Sequence, residues 1–197
     1  MKNALRLAAL LLVSALGVGT AAAQGTVNFS NLYYPTPSWN QALSCTTTAN
    51  CTRFLVLLNF GGAAVLDRET GLVWERSPGD MNGDKVVNSD DVGTWYNARG
   101  HCAAATTGGR KGWRLPSFVE LTSLVDPSVP PPGPTLPPGH PFTNIQTTGY
   151  WSATTQADSE TFAYFVVFGD GHVDSIFKTD FSLFAWCVRG GMNADKY

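Results

Sequence analysis

Charge is scarce in this chain. Asp, Glu, Lys and Arg make up 14% of its 197 residues, and histidine occurs three times. Set beside 44% hydrophobic content, 12% aromatics, 20 Gly and 12 Pro, that scarcity argues against a helical bundle and for a loop-rich fold with a real core. The length suits one compact domain rather than two. Basic residues are not in excess, since 13 Lys and Arg face 15 Asp and Glu. A general affinity for nucleic acid or anionic membranes is therefore excluded. The one local basic cluster, Arg110, Lys111 and Arg114, reads as a solvated loop. His101, His140 and His172 are scattered and show no metal-ligand spacing, and no Gly-x-Ser-x-Gly elbow occurs. Asp170 and Asp174 flank His172, but a hairpin tip uses such residues for turn chemistry. Catalysis has little to stand on, so a non-enzyme is expected.

The N-terminus suggests export. Lys2 and Arg6 precede an apolar stretch over residues 7–18, and Ala21-Ala22-Ala23 forms a small-residue cleavage site. Ser14 and Gly17 break the stretch, which is too short to span a membrane. Cleavage is expected before Gln24. No cysteine sits there to carry a lipid anchor. Loss of Lys2 and Arg6 would leave a net charge of −4. The expected organisation is a signal peptide at 1–23, an N-terminal extension at 24–53, one domain at 54–191 and a tail at 192–197. The mature protein is expected to be secreted, surface-bound or periplasmic.

All four cysteines lie in the exported part, which favours disulfides over reactive thiols or metal ligands. Three pairings are possible. Cys45 and Cys51 bracket a short polar loop and can meet across a turn, which leaves Cys102 to pair with Cys187. Residues 54–60 (FLVLLNF) have the length and composition of a strand. Residues 64–66 and 72–74 flank a polar turn ending in Gly71, a hairpin pattern. A helix is expected over 91–105, capped by Asp90 or Asp91. A second helix, over 118–125, has Ser117 and Glu120 in capping-box positions. Most prolines fall in 126–141, which reads as a long surface loop. Strands are expected over 150–153, over 161–168 and 172–177 around Asp170-Gly171, and over 184–188.

One segment carries chemistry. Residues 80–91 place Asp80, Asn82, Asp84, Asn88 and Asp91 at loop positions 1, 3, 5, 9 and 12, the spacing with which an EF-hand-type loop wraps a hard cation. Calcium takes 6–8 oxygens in a flexible shell. The expected ligands are those five side chains and the Val86 carbonyl, with Asn88 acting directly or through water. The stretch resembles the calcium loop of dockerin modules. It departs at position 6, where Lys85 stands in place of a turn-forming Gly, and at position 12, where Asp91 is shorter than Glu. A dockerin carries two such loops and only one is present, so a structural site is expected rather than cohesin docking.

Further segments resemble the bacterial DUF1566 family, also called the Lcl C-terminal domain. They are Ala64-Val-Leu-Asp-Arg-Glu-Thr-Gly-Leu-Val-Trp74, Gly108-Gly-Arg-Lys-Gly-Trp-Arg-Leu-Pro-Ser-Phe-Val-Glu-Leu121, Gly139-His-Pro-Phe142, Tyr150-Trp-Ser-Ala-Thr154 and Trp186-Cys-Val-Arg-Gly-Gly191. The resemblance implies an α+β, C-type-lectin-like fold, with short helices packed on antiparallel sheet and a helix cysteine paired to the final strand. It also implies extracellular adhesion, with a glycan or protein as ligand. The calcium loop is an insertion relative to the family pattern. The lectin motifs Glu-Pro-Asn and Trp-Asn-Asp are absent, so sugar binding through calcium is not expected. Of the six tryptophans, Trp39 alone sits in a polar, Pro-flanked segment where an exposed contact is worth testing; the others fit core patterns. The competing expectations are a calcium-dependent docking module and, less favoured, a hydrolase or modifying enzyme built on a deep pocket with a perturbed acid–base pair.

Overall fold

A computed structural model describes residues 43–190. The expected signal peptide, residues 24–42 with Trp39, and residues 191–197 with the expected tail lie outside the described residues. Among the described residues no helix is long and apolar enough to cross a membrane.

The apolar run at 54–60 makes two elements, not one strand. β1 is Phe54–Val56, and Leu58–Phe60 turn as a short 3-10 helix closed by Gly61 at φ 61°. The glycine pair reverses the chain: the amides of Gly61 and Gly62 donate back to Leu58 and Leu57. The reversed chain forms β2 (Ala64–Asp67), and β3 (Val73–Glu75) follows antiparallel through the turn that ends in Gly71.

The strand expected over 184–188 is likewise divided. Leu183–Phe184 enters one sheet and Val188–Arg189 the other, and the buried residues between them run through the core. Counting β4 (Val92–Gly93), β5 (Gly149–Gln156), β6 (Ser159–Val167) and β7 (Val173–Phe177), these are β8 and β9. The first sheet has the order β1-β2-β3-β9 and the second β4-β8-β5-β6-β7. Only the β5–β8 contact, Tyr150 against Phe184, is parallel. The last segment thus joins both sheets.

The helix expected from residue 91 begins later. α1 is Trp95–Ala104, and Thr94 caps it by accepting the Asn97 amide. Val92 and Gly93 pair with Phe184 and Leu183, which holds the backbone extended before the helix. α2 is Phe118–Thr122, with the expected capping box between Ser117 and Glu120. It ends before 125 because the Leu124 and Val125 amides donate three residues back, tightening the last turn. Glu120 also holds Arg114 through two bonds of 2.7 and 2.5 Å.

Five of the six tryptophans, Trp74, Trp95, Trp113, Trp151 and Trp186, are buried. Trp186 is the hub of the aromatic core, with ring centroids of Trp74, Phe142, Tyr150 and Phe168 4.9–5.9 Å away. The indoles of Trp95, Trp151 and Trp186 each donate to a backbone carbonyl at 2.8 Å, which fixes them as core elements. Lys178 is buried beside Trp95, its ammonium 4.2 Å from the ring centroid and bonded to the Glu160 carbonyl and Thr155 hydroxyl. The proline-rich loop is irregular, as expected. It is also anchored: Leu136 and Thr135 are buried, and Thr135 donates to the Phe168 carbonyl through amide and hydroxyl. Both disulfides form as expected, Cys45–Cys51 and Cys102–Cys187. Among the described residues no cysteine is free.

Candidate metal centre

The loop at 80–91 closes on itself through its own acids. Asp80 accepts the amides of Gly83 and Lys85 at 2.6 and 2.7 Å. Asn82 accepts Asp84, Asp84 accepts Val86, and Asn88 accepts Asp90, at 2.7–2.9 Å. Asp91 is completely buried and takes three amides, those of Met81, Asn82 and Asn88. Partial desolvation pushes the Asp80 carboxyl up, but the amides of Lys85, Gly83 and Asp84 and the Asp91 contact together hold it below its ordinary value.

The five oxygen-bearing side chains of the predicted site lie along this one loop, each accepting at least one of its backbone amides, but Asp80, Asp84 and Asp91 do not bring their oxygens together as a three-acid cluster. A carboxylate oxygen that accepts one amide keeps a second lone pair for a cation, so these bonds orient the ligands without consuming them. The Asp80, Asn82, Asp84, Asn88 and Asp91 side chains and the Val86 carbonyl suit a hard cation by donor type. Lys85 adopts φ 70°, so the left-handed turn that Gly makes easily is here made by a side-chain-bearing residue. One expectation is corrected: Asp91 neither starts nor caps the helix. Its oxygens are committed to the loop, and the chain passes through β4 before α1.

Beside the loop lies a cleft of about 640 Å3, bordered by Asp80 and Val87 on one side and by Glu75, His101 and Thr107 on another. Glu75 closes β3 and is only 4% exposed. It accepts the Thr107 hydroxyl at 2.5 Å and the Cys187 amide at 3.2 Å, and no Lys or Arg among the described residues pairs with it. Burial pushes its carboxyl up to about 7, against the lowering effect of those two bonds. Burial also lowers His101, with Asp80 and Asp91 opposing. The imidazole lies against Gly79, where an added Cβ would come 2.0 Å from Nε2. A carboxylate oxygen of Glu75, a ring nitrogen of His101 and Sγ of Cys187 all lie within 4.8 Å of one another.

Nothing local along the chain marks this second group. Glu75 follows an apolar strand, and its partners are 32 and 112 residues away. The other histidines stay apart from it, and His172 pairs with Asp170 at 2.7 Å on an exposed turn, as turn chemistry predicts. A third feature is likewise non-local. Arg110 and Arg189 approach the Phe60 ring, at 5.7 and 5.9 Å, around a recess of about 390 Å3.

No curated protein matches the chain. The family model of the Lcl C-terminal domain matches residues 63–189, well over half of the chain, and takes in β2 to β9 and both α-helices but not β1. The chain belongs to the Lcl C-terminal domain family.

Proposed function

We propose that this chain is an exported, non-catalytic binding module for adhesion to a glycan, matrix or protein ligand, with a structural calcium ion in the 80–91 loop. The fold reading that accompanies this proposal is C-type-lectin-like. The observation that carries the calcium assignment is the pairing of Asp80 and Asp91 at the two ends of one loop, whose carboxylates between them accept five of its backbone amides. A divalent cation supplies the positive charge that amide dipoles give only in part. Calcium suits a loop of oxygen donors with a flexible shell better than magnesium, which keeps its waters.

The recess at Phe60 supports the binding reading. Two guanidiniums from distant parts of the chain approach one aromatic ring, and neither forms an ion pair among the described residues. Arg recognises carboxylate and sulfate oxygens through its planar fork, so an acidic glycan suits this surface. The test is adsorption of the full exported chain to acidic and neutral polysaccharides. Retention on the acidic one only, weakened in Arg110→Ala and Arg189→Ala, supports the assignment. Equal retention on both, or none by folded protein, overturns it.

Calcium-dependent docking to a protein is the second reading, favoured by the dockerin-like loop alone; pull-down with and without a chelator separates the two. A hydrolytic reading has the Glu75–His101 cleft in its favour. It is weaker because both Glu75 oxygens already have partners and its side chain is buried.

A further inference from the structure

We propose that the Cys102–Cys187 disulfide is the oxidised state of a zinc-capable site, in which the two sulfurs, Glu75 and His101 together bind one zinc ion once the bond is opened by a thiol reductant. Three of the four donors are already assembled: Glu75 from the end of β3, His101 from α1 and Cys187 from the segment before β9, mutually within 4.8 Å. Cys102 Sγ, bonded to Cys187, is the fourth. At zinc–ligand lengths of about 2.0–2.3 Å, tetrahedral donors stand roughly 3.3–3.8 Å apart, so the three assembled donors draw in from within 4.8 Å and Cys102 swings toward them once its bond to Cys187 opens.

The surroundings favour a cation. Glu75 is a buried carboxyl facing a hydroxyl and an amide, without a Lys or Arg counter-charge among the described residues. Those two bonds fix its orientation, as outer-shell partners do for metal ligands. His101 and Glu75 both border the cleft, which gives an ion a route to otherwise buried sulfurs. In the closed disulfide neither sulfur is a thiolate, the form that ligates metal. Thiol–disulfide exchange converts two reductant thiols into a disulfide, and two electrons and two protons pass to Cys102 and Cys187. Zinc then displaces both thiol protons to solvent, together with the Glu75 proton wherever the carboxyl still holds it, so that two thiolates, a carboxylate and a neutral imidazole face the ion. Sulfur and imidazole select zinc, whereas the neighbouring loop offers oxygen only, so the two ions are sorted by donor type.

The test uses the full exported chain, saturated with calcium to keep zinc from the loop. It is reduced with a dithiol, desalted with zinc present and assayed for bound zinc, while circular dichroism follows the fold. One zinc per reduced chain and none per oxidised chain is expected. Glu75→Gln and His101→Gln should each weaken binding about tenfold or more. Cobalt in place of zinc should give thiolate charge-transfer absorption in the reduced chain only. If reduction unfolds the protein, the site predicts that zinc restores the native spectrum in wild type and not in either variant. Folded reduced protein without zinc, unfolded protein that zinc does not rescue, or equal binding by wild type and both variants each overturns the proposal and leaves the disulfide a plain structural link. The calcium loop and the glycan surface stand or fall separately.

Discussion

The molecule holds two groups of side chains of metal-ligand type side by side, and they differ in nearly every physical respect. The 80–91 loop is polar, its tip exposed, and it is built from residues a few positions apart. The Glu75–His101–Cys187 group is buried and drawn from three elements spanning more than a hundred residues. In the loop, backbone amides satisfy the acids, and those of Lys85 and Gly83 help hold the Asp80 carboxyl below its ordinary value. In the buried group, Glu75 lacks a counter-charge and its proton is held to about pH 7. Proximity along the chain makes a site cheap to assemble and easy to read; tertiary convergence makes one that only the folded chain reveals.

The comparison can be broken at several points. The largest expected effect is at the sulfurs. In the chain-entropy account, closing the 85-residue separation of Cys102 and Cys187 stabilises the fold by about 4.5 kcal/mol, against about 2 kcal/mol for the six-residue Cys45–Cys51 link. Denaturant unfolding of the two paired Cys→Ala variants checks that order.

Glu75 gives the next effect. Its folded pKa stands above its unfolded value of 4.5, so between pH 4.5 and about 7 the unfolded chain releases a proton that the folded chain keeps. Stability from this group is therefore full at acid pH and falls as pH rises through that window, by about 3 kcal/mol. Glu75→Gln should flatten that part of the pH–stability curve. An unchanged slope would mean that Glu75 is ionised in the folded protein.

Calcium at about 100 times its dissociation constant should add about 2.7 kcal/mol. The smallest effect is at position 6 of the loop. Lys85→Gly relieves a left-handed backbone and should stabilise the calcium-bound form by about 1 kcal/mol, read by calorimetry as tighter binding.

What could be read in the sequence follows the same division. The capping box of Ser117 and Glu120 and the hairpins turning at Gly71 and Gly171 are local, and the fold realises each of them; the 80–91 loop was legible for the same reason, as acids a few positions apart. Local reading failed where pairing partners lie far away. Val92 and Gly93 were assigned to a helix because nothing nearby shows that Leu183 and Phe184 hold them as a strand. Residues 184–188 looked like one strand because their apolar run does not reveal that the chain changes sheets between Phe184 and Val188. The 54–60 run was likewise cut by the glycine-driven reversal at its end. Glu75 had no signal at all, since an acid after an apolar strand normally faces solvent.

The most direct measurement is the melting temperature of the full exported chain with calcium and with a chelator, for wild type and Asp84→Ala. Calcium should raise it in wild type and leave the variant where the chelated protein melts. A wild type indifferent to calcium, or a variant that gains as much, would show that the acids of the 80–91 loop do no more than fold it.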